Sequence, residues 1–163
     1  MNVDEFTDPR DGRTYKILVA GSAVWMAENL DFRCRDSYAY DDLNENRRRF
    51  GLLYTRDAAA LACPKGWRLP TAADWNELFL NAGGGDSVGL ILKGETFGFK
   101  ALLAGCRDFF GGYAGLGSKA CFWSAEREGP FASYTALMKI SDDVLCLSDS
   151  AACAFSVRCV LDD

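Results

Sequence analysis

Apolar and polar residues alternate differently in successive parts of the chain. Near the start, Asp8-Pro9-Arg10-Asp11-Gly12 is a turn cluster, and Thr14-Tyr15-Lys16-Ile17-Leu18-Val19 has the β-branched and aromatic content of a strand. Gly21-Ser22 turns the chain and residues 23–30 continue as a second strand, which predicts a hairpin with Trp25 as a core anchor rather than a ligand-stacking side chain. From residue 31 to 49 the sequence is polar and charged without a period, and reads as a long surface excursion. Its triplet Arg47-Arg48-Arg49 has the charge to grip an anion, but in an acidic chain the solvated loop is the favoured reading.

Helical patterns follow. Residues 55–63 are rich in alanine and stop at Pro64, which predicts a short buried helix. Thr71 is a good N-cap, with Asp74 three residues on in a variant of the capping box, and Trp75, Leu78, Phe79 and Ala82 recur on one helical face. Gly83-Gly84-Gly85 ends that helix; lying after a helix rather than between strand and helix, it lacks the context of a phosphate-binding loop. Beyond it the chain is glycine-rich and irregular, until strand character returns in residues 121–124, 134–140, 144–147 and 155–161. Strands, two adjacent helices, long loops and then strands predict an α+β fold, with the first and last strands paired so that the termini meet.

Composition narrows the chemistry. A length of 163 residues fits a single domain over residues 1–163, and 49% apolar residues are enough for a buried core. A net charge of −5 argues against nucleic acid as a partner. No stretch approaches the roughly eighteen apolar residues of a membrane span. Met1-Asn2-Val3-Asp4-Glu5 has neither a basic nor an apolar leader segment, so a soluble chain is expected, its secretion signal removed or never present. The absence of histidine removes His-activated nucleophiles and His-containing metal sites, and no cofactor or metal is expected. Seven cysteines (34, 63, 106, 121, 146, 153 and 159) include no C-x-x-C pair, and their odd number leaves at least one thiol unpaired or bonded to another molecule.

Five strings carry a resemblance: Gly12-Arg13-Thr14-Tyr15, Trp25-Met26-Ala27-Glu28-Asn29-Leu30, Cys63-Pro64-Lys65-Gly66-Trp67-Arg68-Leu69-Pro70-Thr71, Phe122-Trp123-Ser124 and Ser156-Val157-Arg158-Cys159-Val160. In this order the chain resembles the Fibrobacter succinogenes major paralogous domain over nearly its whole length. That family is similar to C-type lectin folds, and the G-W-R-L-P-T string is also similar to the formylglycine-generating enzyme fold. The resemblance implies a C-type lectin-like fold, with two helices packed on small twisted antiparallel sheets and long loops shaping a binding face. It also places Cys63 and Cys159 in framework strings, where they can pair. Read as residues, Gly66 permits an unusual backbone angle, Trp67 and Leu69 offer apolar surface, Arg68 can tie loop carbonyls and Pro70 precedes the cap. This is a structural joint without an evident nucleophile or base.

The same fold, with similar endings, recurs in the variable proteins of diversity-generating retroelements. There, adenine mutagenesis of AAY codons rewrites the C-terminal ligand-binding residues, and such codons never yield Lys, Glu, Gln, Met or Trp. None of those five types occurs from Ile140 to the end, a gap expected by chance about one time in twenty on this chain's own usage. The last asparagine is Asn81, and residues 145–154 lack the alternation of a packed strand. The resemblance therefore implies a framework of about residues 1–105 and a variable ligand-binding region of about 106–155. Within it, Phe109, Phe110 and Tyr113 on a glycine-rich loop are either stiff aromatic contacts, as in antibody paratopes, or core. Glu126 and Glu128 cannot come from AAY codons and are framework or differently encoded.

The candidate ligand-contacting residues are Cys106, Phe109, Phe110, Tyr113, Cys121, Arg127, Phe131, Ser133, Cys146, Ser148, Asp149, Ser150 and Cys153. The leading expectation is a non-enzymatic receptor- or surface-recognition protein binding a protein or glycan ligand on another surface. The alternative is a secreted adhesin or carbohydrate-binding domain without diversification, and a third reading is a cysteine-dependent enzyme like the formylglycine-generating group. Calcium-dependent sugar binding is disfavoured, because no E-P-N, Q-P-D or W-N-D string occurs and Asp142-Asp143 and Asp162-Asp163 read as solvated. Oligomeric state and compartment, whether virion, cell surface or cytosol, stay open.

Overall fold

The hairpin at the start of the chain lies in a five-stranded antiparallel sheet that the last strand completes. A computed structural model describes residues 4–163; Met1, Asn2 and Val3, which the leader argument used, lie outside them. Strands β1 (Glu5–Thr7), β2 (Thr14–Ala20) and β3 (Ala23–Met26) are followed in space by β12 (Val160–Leu161) and β6 (Trp67–Arg68). Val160 pairs with Trp25 on one side and Arg68 on the other. The first and last strands share this sheet but do not pair: β2 and β3 lie between β1 and the closing strand, which is two residues long, and Phe155 and Ser156 make single bridges to Tyr54 and Phe122 instead.

A second five-stranded sheet carries the rest of the strands. Here β7 (Ala104–Arg107), β8 (Tyr113–Leu116), β9 (Lys119–Glu128), β10 (Phe131–Met138) and β11 (Val144–Ser150) lie in the order β11-β10-β9-β7-β8. All its pairs are antiparallel except β7 with β9, which meet at Gly105 and Ala120. A small pair, β4 (Ser37–Tyr38) with β5 (Leu53–Tyr54), completes the strands among the described residues.

Both expected helices are present: α2 (Arg56–Ala62), capped by the Thr55 side chain, and α3 (Ala72–Asn81), whose Thr71 and Asp74 form the reciprocal capping box. Two more were not expected. The stretch 31–49 is no surface excursion, because Asp31, Ser37, Ala39 and Tyr40 are buried and the segment holds β4, a 3₁₀ turn and the start of α1 (Asn44–Phe50). Helix α1 has no side-chain cap and buries no side chain; its Arg47 is ion-paired with Asp31, so this arginine is neither loop nor freely solvated. Helix α4 (Val88–Lys93) follows the glycine run, and an added Cβ at Gly89 would stand 2.5 Å from the Asp143 carbonyl oxygen. That close approach between helix and loop is a tertiary packing effect with no local periodic signal.

Side chains of β9 alternate between the two faces of the second sheet, and so divide the core. Phe122 joins Trp25, Trp75 and Phe99 beneath α3, with the Trp25 and Trp75 ring centroids 4.7 Å apart. Trp123 points the other way, packs on Phe155 and Tyr134, and donates its indole N–H to the Tyr54 carbonyl at 2.6 Å. The sheet thus has α3 and α4 on one side and α2 with the β4–β5 pair on the other, leaving β11 as a free edge.

Candidate functional site

The edge strand β11 decides which of the expected ligand contacts share a surface. In its register with β10, Ser133, Thr135 and Leu137 oppose Ser148, Cys146 and Val144, while Ala132, Tyr134 and Ala136 oppose Asp149, Leu147 and Leu145. Because strand side chains alternate, the first set faces α3 and the second faces away from it. Ser133, Cys146 and Ser148 line a depression of about 490 Å³ with Trp75, Asn76 and Thr135. A second depression of about 780 Å³ adjoins it through the shared Asn76 and Cys146, and runs on past Phe79, Val88 and Val144. The two form one groove between helix α3 and the free edge of the sheet. Small hydroxyl and thiol groups stand along its β side and aromatic carbon along its helix side.

Beyond the groove, all four side chains of residues 145–148 are exposed, an unusual run for a strand. Leu145 and Leu147 present apolar surface on the far face, beside the half-buried Tyr134 and Asp149. Asp149 accepts the Ser150 N–H at 2.7 Å, and Ser150 accepts the Ala152 N–H at 3.2 Å, so these two shape the turn after β11 as well as its surface.

The aromatic loop is exposed rather than core. Phe109 and Phe110 are 55% and 85% exposed, with ring centroids 3.9 Å apart. The Asp108 carboxylate accepts the Phe110 and Gly112 N–H groups, each at 2.9 Å, and so holds the loop while both rings stay in solvent. Arg107 and Ala154 exchange backbone hydrogen bonds, which fixes this loop to the chain segment beyond β11. Phe131, 55% exposed, pairs with Ser150 at the end of the β9–β10 hairpin. Arg127 on that hairpin is exposed and ion-paired with Asp57. Tyr113 is half-buried: it packs on Tyr40 and donates its hydroxyl to Asp42 at 3.0 Å, and burial together with that carboxylate pushes it up to about 12. Its contacts tie β8 to the 3₁₀ turn, so it is a structural residue.

Three of the expected contacts are buried in this structure. Cys106, Cys121 and Cys153 are 7%, 2% and 3% exposed and belong to the core around Trp123. Alternation turns Cys121 inward on β9, and the parallel pairing of Gly105 with Ala120 brings Cys106 beside it. The Cys121 thiol beside it and the nearby Lys119 hold Cys106 down to about 6; the same pairing, with burial, pushes Cys121 up. Burial and then the Asp149 carboxylate push Cys153 up to about 11. These thiols floor the far face of the sheet and do not reach its surface. Tyr134, Leu147 and Asn76 were missed around the groove, as was the buried Trp75 that lines its floor; the alternation of the strands and the helical face of α3 carry their positions only once these elements are known to adjoin.

A separate cleft of about 690 Å³ lies against the first sheet, lined by Arg13, Lys16, Arg48, Arg49 and Lys100 among others. Asp31 engages two of its cations, Arg13 at 3.0 Å and Arg47 at 2.6 Å.

The family model described as the Fibrobacter succinogenes major domain matches residues 18–161. The chain belongs to this family. Comparison with curated proteins and with solved structures gave no match. Of the five strings singled out in the sequence, four fall within the matched residues, and Gly12-Arg13-Thr14-Tyr15 precedes them. In this Fibrobacter succinogenes major domain the strings build framework: Trp25, Arg68 and Val160 meet in the first sheet, and Gly66, at φ 87°, turns the chain into it. The exposed aromatic loop lies outside those strings, and of the residues lining the groove only Ser124 belongs to one of them.

Proposed function

We propose that this Fibrobacter succinogenes major domain is a non-enzymatic recognition domain of C-type lectin-like fold, which binds a protein or glycan on another surface through the groove between α3 and β11. The observation that carries the reading is the exposure of residues 145–148 on a free edge strand, with Ser133, Cys146 and Ser148 lining one groove. Small polar side chains beside aromatic carbon make an adaptable contact surface, and Phe109, Phe110 and Phe131 supply large exposed anchors elsewhere on the same sheet and its loops. Diversification by a retroelement is part of the proposal. It is supported by the absence of Lys, Glu, Gln, Met and Trp after Lys139, and by the placing of the exposed residues outside the framework strings.

The test has two arms. The gene's neighbourhood is searched for a reverse transcriptase and a template repeat with adenines at the codons for residues 145–150. Segment 144–150 is also replaced by other sequences of the same length and low β-breaking content, and ligand profile and Tm are read. A changed profile at nearly constant Tm is the expected result; loss of folding in most replacements overturns the recognition reading.

A second reading, an adhesin or carbohydrate-binding domain without diversification, draws on the cleft beside the first sheet, whose lining mixes carboxylates with a larger number of Arg and Lys side chains. Arg48 and Arg49 are exposed on its rim, a setting suited to acidic sugars. Glycan-array binding that survives chelator and falls on Arg48→Ala with Arg49→Ala supports it; binding unmoved by that double change removes it.

A further inference from the structure

We infer that Cys63 and Cys159 form a disulfide in the working protein, which clamps the framework at both ends of the recognition segment. Their Sγ atoms lie 2.7 Å apart, well inside the separation of about 3.5–4 Å at which non-bonded heavy atoms rest. The residues are 96 apart in sequence, yet each is held in place by its own element. Cys63 is the C-cap of α2 and precedes Pro64, while Ala59 and Ala62 of that helix are fully buried. Cys159 is fully buried beside β12, and its carbonyl accepts the Met26 N–H at 2.9 Å. Two well-anchored backbones therefore bring the sulfurs together, and no side chain stands between them.

The surroundings suit formation by exchange. Cys63 is half-buried and so reachable from solvent, whereas Cys159 is closed off. Arg10 donates to the Ala62 carbonyl at 2.7 Å, which places a guanidinium beside the pair, where it partly offsets the effect of burial on Cys159. Burial pushes the Cys159 thiol up, so Cys63 is the sulfur that attacks first. Its thiolate attacks an external disulfide, either a small-molecule disulfide or that of an oxidoreductase, and expels one thiolate, which takes up a proton. Cys159 then gives up its proton to solvent and attacks Cys63 Sγ, expelling the second thiolate. Two protein thiols and one external disulfide become one internal disulfide and two external thiols.

The consequence for the fold follows from position. The bond closes the chain from residue 63 to 159, and the exposed residues of the β9–β10 hairpin, the aromatic loop and β11 all lie inside that loop. Residues at the groove can then vary while the ends of their segment stay tied to the G-W-R-L-P-T joint and the closing strand. This role depends on the recognition reading; the bond itself does not.

The whole chain is treated with oxidised glutathione, denatured, alkylated without reductant and mapped by peptide mass spectrometry. A linked peptide pair containing Cys63 and Cys159 is expected, with five of the seven cysteines alkylated. Alkylation of both Cys63 and Cys159, or a linkage of either to another cysteine, overturns the inference. The oxidised protein is expected to melt about 5–15 °C above the reduced one. That gap should vanish in Cys63→Ala, chosen because Cys63 is the less buried partner; an undiminished gap in this variant also overturns it. Ligand profiling of segment replacements is a separate measurement, so failure of the recognition reading leaves this result standing.

Discussion

Arg158 donates its Nε–H to the side-chain oxygen of Asn29 at 2.9 Å, both residues buried, and so joins the A-E-N-L string to the S-V-R-C-V string. Its two remaining nitrogens donate to the carbonyls of Phe99 and Lys100. Lys100 adopts φ 47°, a left-handed conformation that a lysine holds only when its surroundings fix it. Asn29 in turn donates to the Phe50 carbonyl at 2.8 Å, so one buried polar group ties the closing segment, the hairpin exit and the end of α1. Asn29→Ala strips an acceptor from a buried cation and leaves a carbonyl unpaired, and should cost about 2–4 kcal/mol in urea unfolding. Asn29→Asp keeps the shape and the acceptor, supplies a counter-charge at the same place and should cost clearly less; equal losses in the two would show that the N–H donated to the Phe50 carbonyl, absent from both variants, holds the site rather than the acceptor for Arg158.

Exposed and buried aromatics should separate recognition from stability. Phe110→Ala removes a side chain that is 85% exposed, and its effect on stability should stay within about 0.5 kcal/mol. Trp123→Ala empties the core beside Phe155 and takes the donor from the Tyr54 carbonyl, at a cost of about 3–5 kcal/mol. Chemical denaturation of the two variants measures the contrast. Once a glycan or protein array has identified a ligand, the Phe110 variant and a Leu147→Ser variant should bind it more weakly at unchanged Tm.

The acid limb of stability should depend on the cap of α3. Burial pushes the Asp74 carboxyl up, but the Arg68 guanidinium and the donors of Thr71 outweigh it and hold the group below its ordinary value of 3.8. A carboxyl whose folded-state pKa is depressed contributes stability that is full above the unfolded value and lost as pH falls through the folded one. Asp74→Asn should therefore destabilise the protein at neutral pH and flatten the loss of stability below about pH 4, as read from urea midpoints across pH. Parallel curves for the variant and the natural protein would place the acid sensitivity elsewhere.

What was legible in the sequence was what local chemistry dictates. The Thr71–Asp74 box needs only residues three apart, and it came out as read, as did the hairpin around Gly21-Ser22 and the burial of Trp25. Helix α1 escaped because Leu43 offers no capping side chain and no apolar face exists; an ion pair to Asp31, distant in sequence, accompanies its Arg-rich turn. Helix α4 escaped because Gly89 is there for close approach to the 142–143 backbone, whereas in isolation a glycine argues against a helix. At the candidate site, Cys146 and Ser148 stand on the edge strand β11, whose run 145–148 has no apolar stripe, and Ser133 reaches the same groove from the neighbouring β10. Cys106, Cys121 and Cys153 were misplaced because codon usage records what a position can be and says nothing of depth.

The Cys106–Cys121 pair makes the sharpest prediction about pH. The Cys121 thiol beside it and the nearby Lys119 hold Cys106 down to about 6, while the same pairing, with burial, pushes Cys121 up. For the pair, stability rises with pH from about 6 to the unfolded thiol value, where the lowered Cys106 has released its proton before the unfolded chain does, and falls again above it, where the raised Cys121 keeps its proton longer. Ultraviolet thiolate absorbance of the folded protein should rise through a step centred near that pH and vanish in Cys106→Ser. Cys121→Ser keeps a hydroxyl donor in place and should shift the step only modestly, whereas Cys121→Ala removes the donor and should move it toward the ordinary thiol range. Lys119→Met should raise it as well, since the cation beside the thiolate is lost. A folded protein whose absorbance step lies in the ordinary thiol range, unchanged by all three substitutions, would show that the pair does not share its proton in this way.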